Sequence, residues 1–384
     1  MNKNKRFLKK FVILAAIIWL AFVVRIHGLP TTSQDYNAFL SRWFDSIKTG
    51  GGFSALKNSM GDYTQPYLYL LTLGTYTDIN KLFYIKMISF VFEIMVAFYI
   101  MKIVNMKYKN EKIGYLSFGI LLIIPTVIFN GSVWAQCDII YTSFVIGSIY
   151  YILREKPITS IIFYGVALSF KLQAIFILPL FAILLFKNRI KIYHLLLIPI
   201  TYLFLSIPSL IVGRPLKDIL LTYLNQSSEY TNLTYNAPSI YQWFTSSFFS
   251  NTTLIGNIGI MFTLVVVLSI IYVSFRYIKV IKYENVIELS LLFAVIIPFL
   301  LPRMHERYFF MADIISLLYA FCFPRKLYVA IIIPLVSLFC YFPFLYNTSI
   351  DSIVDLSIVL FVIIIDLICT FRIHLINEIK LQKI

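Results

Sequence analysis

Residues 257–275 read NIGIMFTLVVVLSIIYVSF, an uncharged apolar run followed by Arg276, Lys279 and Lys282. As a helix rising about 1.5 Å per residue, such a run covers close to the roughly 30 Å hydrocarbon core of a bilayer. Comparable runs recur along the whole chain, and the composition agrees: 60% of the 384 residues are hydrophobic and 13% charged, with a mean hydropathy of +0.83. A water-soluble core of this size could not hide so much apolar surface. The pattern predicts an all-α fold, a polytopic membrane bundle of about twelve transmembrane helices. They are expected near 7–27, 82–104, 113–130, 137–153, 157–171, 172–186, 191–212, 257–275, 286–301, 309–323, 327–346 and 353–371, with Lys171 and Gln173 interrupting the fifth and sixth. No internal repeat or low-complexity linker divides the chain, so residues 1–384 read as a single membrane domain.

The formal charge of +15 does not point to nucleic acid, because the basic residues sit in short clusters between apolar runs and form no single patch. They report orientation. With both termini cytoplasmic, about two thirds of the 33 Lys and Arg fall on the inner side, the asymmetry of the positive-inside rule. The first apolar run follows Lys3, Lys5, Arg6, Lys9 and Lys10 and has no small-residue cleavage site after it, which reads as a signal anchor. Cys137, Cys322, Cys340 and Cys369 lie in or beside apolar runs. They are expected to be small buried hydrophobes, forming neither a disulfide framework nor a metal cluster.

On this topology the two long non-membrane segments, 28–81 and 213–256, face outward, and the inner loops are only a few basic residues long. No inner stretch has room for a nucleotide-binding βαβ unit of about 30 residues. Neither a dinucleotide fingerprint nor a P-loop is present. Chemistry is therefore expected outside the bilayer or within it.

In the first outer segment Tyr36, Phe39, Leu40, Trp43, Phe44 and Ile47 follow helical spacing after a Ser33 cap, and Gly50-Gly51-Gly52 ends the run. The spacing predicts an amphipathic helix lying in the interface, with Asp35 and Arg42 on its wet face. Such a face is most often simply solvated. Here polar groups also gather at four other outer membrane edges: Gly61-Asp62-Tyr63-Thr64-Gln65-Pro66-Tyr67, Trp134-Ala135-Gln136-Cys137-Asp138, Phe170-Lys171-Leu172-Gln173 and Pro302-Arg303-Met304-His305-Glu306-Arg307-Tyr308. Within the bilayer, by contrast, Glu93 and Asp366 are the conspicuous charges. Carboxylates, cations and amides at one depth are expensive to keep near lipid and are expected to converge on one site.

These residues resemble the GT-C fold of polyprenyl-phosphate-sugar glycosyltransferases, nearest the branch of dolichyl-phosphate-glucose glucosyltransferases and their bacterial relatives. Asp35-Tyr36 followed by Trp43 looks like the Asp-Tyr that carries the family's catalytic carboxylate. The segment Gly61–Tyr67 resembles a later Asp-Tyr-Pro-Pro-Leu element with one proline kept, and Phe170-Lys171-Leu172-Gln173 a Phe-Lys-Gln element with one residue inserted. His305-Glu306-Arg307 is similar to the late His-Glu-Lys motif, with arginine for lysine. The family's Asp-x-Asp or Glu-x-Asp pattern is missing from the first loop, so no metal and no cofactor is expected.

The resemblance implies transfer of a hexose from a polyprenyl-phosphate sugar to a glycan, lipid-linked or cell-surface acceptor at the outer face of the membrane, with inversion; the small size and the richness in Lys, Ile and Asn point to a bacterial plasma membrane. Asp35 is expected to be the base, and Arg303, Arg307 and Lys171 to hold the lipid phosphate. Asp62, Tyr63, Gln136, Asp138, Gln173, His305 and Glu306 complete the expected substrate contacts, and Tyr230, Tyr235, Tyr241 and Trp243 the cover over the acceptor. The expected partners are membrane lipid, donor and acceptor, and the chain is expected to act as a monomer without nucleic acid. Two other classes stay open: a lipid-linked sugar flippase or secondary transporter, and a polysaccharide polymerase.

Overall fold

In the computed structural model, residues 3–61, 63–228, 231–244, 251–348 and 353–381 are described. Asp62 and Tyr230 lie outside them. The described chain is almost wholly helical. Its first half runs α1 (Lys3–Arg25), α2 (Ser41–Thr49), α3 (Gln65–Thr75), α4 (Lys81–Tyr108), α5 (Glu111–Ile123), α6 (Pro125–Ile128), α7 (Asp138–Leu153) and α8 (Pro157–Phe170). The second half runs α9 (Leu178–Phe186), α10 (Leu197–Ile211), α11 (Leu216–Ser228), α12 (Thr252–Tyr277), α13 (Tyr283–Leu300), α14 (Phe310–Cys322), α15 (Val329–Tyr346) and α16 (Ile353–Leu381). Two short strands, β1 (Thr234–Tyr235) and β2 (Met304–His305), pair in parallel, Thr234 opposite Met304 and Tyr235 opposite His305.

Every apolar run predicted as a span is helical. Among the described residues seven helices are long and apolar enough to cross a membrane, and the pair formed by α5 and the stretch Pro125–Val133, bent by 54°, raises this to eight if counted as one span. This is fewer than the twelve expected, because α7, α8, the 172–186 helix and α14 are short, cut off where Asp138, Lys171 and the Glu306-Arg307 pair interrupt the apolar runs.

Local chemistry sets the boundaries. Asn80 caps α4, accepting from the amides of Leu82 at 3.0 Å and Phe83 at 3.2 Å, and Asn110 caps α5 through Lys112 N at 3.0 Å. The bend after α5 falls at Ile124-Pro125, where proline has no amide to offer and forces its predecessor extended. Gly51 and Gly52, at φ 85 and 67, stop α2 in a conformation that costs other residues energy.

The core is built on α13, whose apolar window is 89% buried, while that of α1 is 6% buried. On α1, α10 and α12 the side chains of Phe11, Trp19, Phe204, Ile211, Met261 and Tyr272 stand exposed. Apolar surface of this extent on the outside of a folded chain belongs to a protein embedded in lipid. Inside, small residues bring α7 and α8 together: Ser148 Oγ donates to Ser160 O at 2.7 Å and Ser160 Oγ to Ser148 O at 2.8 Å. Of the cysteines, Cys137, Cys322 and Cys340 are buried as expected; Cys369 is exposed, on the outer face of α16.

Arg25, Lys86 and Glu288 are buried charges that the sequence pattern did not single out, and further ion pairs are half-buried. Glu93 accepts from Arg25 at 2.7 Å, and Arg25 also donates to the carbonyls of Ala21 and Leu122 at 2.7 and 2.8 Å. Asp366 meets Lys326 at 2.6 Å, and Glu288 meets His374 at 2.9 Å. Lys86 Nζ donates to the carbonyls of Gly28 at 2.7 Å and Thr31 at 2.6 Å. That contact ties the segment after α1 to the start of α4, immediately before Asp35.

Candidate active site

Asp35 stands at the start of the predicted amphipathic helix. Ser33 is its cap as predicted: its Oγ accepts from Tyr36 N at 3.1 Å and donates to Trp134 O at 2.7 Å. Tyr36, Leu40, Phe44 and Ile47 bury the expected apolar stripe. Residues Tyr36–Leu40 form a π-helical turn, one residue wider than an α-turn. A second π-turn, Phe129–Val133, follows α6 and leads into Trp134, Ala135 at φ 65 and Gln136. The two wide turns present Asp35 and the Trp134–Gln136 loop to each other.

Three donors reach one oxygen of Asp35. Trp134 Nε1 lies at 2.9 Å, Gln136 Nε2 at 2.5 Å and Arg307 at 2.7 Å from Oδ2. Among the described residues Oδ1 has no hydrogen bond, so the carboxylate is fixed in its plane with one edge left open. Arg307 comes from the turn Glu306–Phe309 that opens α14. Its Nε is buried without a partner among the described residues, and its guanidinium lies 5.6 Å over the Trp134 ring.

Asp35, Tyr63, Gln136, Lys171 and Arg307 line one cavity of about 90 Å³, together with Phe39, Trp43, Gln226 and Tyr308. Tyr63 OH donates to Gln136 Oε1 at 3.4 Å, and burial pushes that hydroxyl well above its ordinary range, so it acts as a neutral hydrogen-bonding group. Lys171 forms a buried ion pair with Asp138, whose other oxygen accepts from Asn130 Nδ2 at 2.8 Å. Asp138 therefore stands behind the cavity as the counter-ion of Lys171, away from the space a substrate could fill.

Gln173 and Arg303 line a second cavity of about 290 Å³ that shares Gln226 and Tyr308 with the first. Its walls are mainly apolar, and Ile175 and Ile260, both exposed, carry it to the outer surface. Gln173 Oε1 and Gln226 Oε1 are buried without partners among the described residues. Arg303 holds φ 64 in the loop after α13.

His305 and Glu306, expected at the substrate, line neither cavity. His305 stacks on Tyr235 at 4.7 Å and packs against Tyr308 at 5.2 Å. Burial, then the charges of Arg307 and Lys171, push its imidazole down to about 3, so it is neutral at physiological pH. Burial raises Glu306 to about 7 against the pull of Arg307. Of the aromatic residues expected to cover an acceptor, Tyr241 and Trp243 serve the bundle: Tyr241 OH donates to Leu300 O at 2.9 Å and Trp243 Nε1 to Ser357 Oγ at 2.6 Å. Sequence reasoning missed Gln226, because a glutamine in a polar outer segment carries no signal of its own. It also left Trp134 without a role, although that indole lies two residues before Gln136.

Among the described residues no group of three or more His, Cys, Asp or Glu side chains is close enough to hold a metal ion. Comparison with protein-family models finds no match for this chain, and no curated protein matches it. What the site can do rests on its own geometry: an oriented carboxylate with one open edge, an arginine and a lysine beside it, and an apolar cavity adjoining.

Proposed function

We propose that the chain is a membrane-embedded glycosyltransferase of GT-C type, with about twelve membrane-crossing segments, that moves a hexose from a polyprenyl-phosphate carrier to an acceptor hydroxyl with inversion. One observation carries the reading: Asp35 is held through a single oxygen by Arg307, Gln136 and Trp134, its second oxygen has no hydrogen bond among the described residues, and the residue lines a cavity together with Lys171. A base needs that geometry, oriented and open on one edge.

In the proposed reaction the acceptor oxygen attacks the anomeric carbon, and its proton passes to Asp35 Oδ1. The bond from that carbon to the phosphate oxygen breaks, and its electron pair leaves with the lipid phosphate. Arg307 supplies the buried Nε as donor to this developing charge, and Lys171 has two further N–H groups beyond the one on Asp138. The apolar cavity beside Gln173 and Arg303 suits the first units of a lipid chain. In this reading the positive-inside rule assigns the basic clusters to the inner side and the site to the outer face.

Transport is the less economical reading, because Arg25 pairs internally with Glu93 and Lys326 with Asp366. Purified protein in liposomes, given a synthetic polyprenyl-phosphate hexose and a panel of glycan acceptors, separates the two. Transfer of the hexose is the expected result. Translocation of the lipid without transfer would replace this reading with a flippase.

A further inference from the structure

A larger cavity lies at the other end of the bundle. About 690 Å³ of space opens where the start of α1, the end of α4, the turn into α5 and the end of α7 meet, within the roughly 300–1,000 Å³ range of ligand pockets. Lys86 contacts the Gly28–Thr31 segment that leads to Asp35, and Lys102 lines this cavity. The two lysines are separated by about 24 Å along α4.

Four cations, Lys10, Lys102, Lys109 and Arg154, line the cavity against one carboxylate, Glu111. Glu111 accepts from Lys10 at 2.6 Å. Among the described residues no ion pair links Lys102, Lys109 or Arg154 to a carboxylate. Below the cations the wall is apolar, and Phe7, Phe11 and Phe98 on it are 72%, 61% and 42% exposed.

We propose that this cavity binds an anionic phospholipid, its phosphodiester held by Lys102, Lys109 and Arg154 and an acyl chain lying along Phe7, Phe11 and Phe98. Cations that have no carboxylate partner among the described residues, Lys102 resting only on the Phe98 ring at 5.0 Å, call for an anion at a helix-lined mouth. The exposed phenylalanines call for a chain attached to it, which inorganic phosphate lacks. A zwitterionic lipid brings its own cation to a mouth already rich in them. The positive-inside rule puts this end at the cytoplasmic leaflet, where anionic lipids present the matching charge. The assignment is independent of the chemistry proposed at Asp35.

The test uses the full chain in a neutral detergent, with phosphatidylglycerol, phosphatidylcholine and inorganic phosphate as separate probes, read by native mass spectrometry and thermal shift. Phosphatidylglycerol is expected to stay bound and raise the melting temperature, with phosphatidylcholine at least tenfold weaker. The double variant Lys102→Gln, Arg154→Gln is expected to lose roughly tenfold or more of the affinity, and Lys102→Arg, Arg154→Lys to keep it. Both residues are exposed, so the lipid-free melting temperature of each variant should match the parent and guards against misfolding. Equal binding of the two lipids, phosphatidylglycerol binding unchanged in the glutamine variant, or displacement of phosphatidylglycerol by inorganic phosphate would each overturn the proposal.

Discussion

Asp35→Asn keeps the shape of the side chain and most of its hydrogen bonds, since the amide oxygen can take the place of Oδ2 among its three donors. The amide nitrogen then occupies the open edge, where no proton can be accepted. Turnover is expected to fall by roughly 10²- to 10⁴-fold with folded protein retained, measured by hexose transfer and by circular dichroism. Trp134→Phe is subtler. It removes the indole donor at 2.9 Å from Asp35 but keeps a ring to stack on Phe344. One hydrogen bond to a charged group amounts to about 1.5–3 kcal/mol. A tenfold or greater drop in kcat with little change in KM is the expected result, and the reverse pattern would make Trp134 a substrate-binding residue instead. Glu306 and His305 impose opposite pH dependences on stability. Glu306, raised to about 7, favours the fold fully below the unfolded value of 4.5, and that contribution is lost as pH rises through 7. His305, lowered to about 3, favours the fold above 6.5 and loses that contribution as pH falls toward 3. Glu306→Gln should therefore gain melting temperature relative to the parent as pH is raised from 4.5 to 7, and a flat difference across that window would show the carboxyl to be in contact with water.

Elements decide how much of this was legible beforehand. The amphipathic helix was readable because Tyr36, Leu40, Phe44 and Ile47 keep helical spacing and Ser33 caps it. The convergence of Asp35 with Arg307 was readable from motifs at a common membrane depth. The π-turns at Tyr36–Leu40 and Phe129–Val133 were not, because one extra residue per turn leaves no composition signal. Nor did the sequence pattern separate the two roles of the Lys171 region. Lys171 lines the cavity of Asp35, Gln173 lines its neighbour, and only the extended backbone at Lys171 between α8 and the following turn sends them apart. Gly61 tests how tightly one wall is built. It holds φ 57, and a methyl group there would collide with the ring of Trp43, which lines the Asp35 cavity. Gly61→Ala is expected to destabilise the chain by about 1–3 kcal/mol, seen as a lower melting temperature, and to lower transfer activity with it.

Across the whole molecule the buried pair Arg25–Glu93 joins a peripheral helix to the core. Both side chains are 1% exposed, and removing one partner leaves the other charge stranded. Arg25→Met or Glu93→Gln alone is expected to cost roughly 3–5 kcal/mol, whereas the pair replaced together by Met and Leu should recover most of that loss. Unfolding of the three variants in detergent measures this, and additive losses would mean that the two residues act independently. The same pair constrains how the chain is made. Arg25 leaves the ribosome 68 residues ahead of Glu93, a delay of several seconds at about 5–20 residues per second. Until then its guanidinium has no counter-charge and reaches for the headgroups at the end of α1. Helix α1 can settle to its final depth only when α4 arrives, so its place in the bundle is fixed from a partner 68 residues further along the chain.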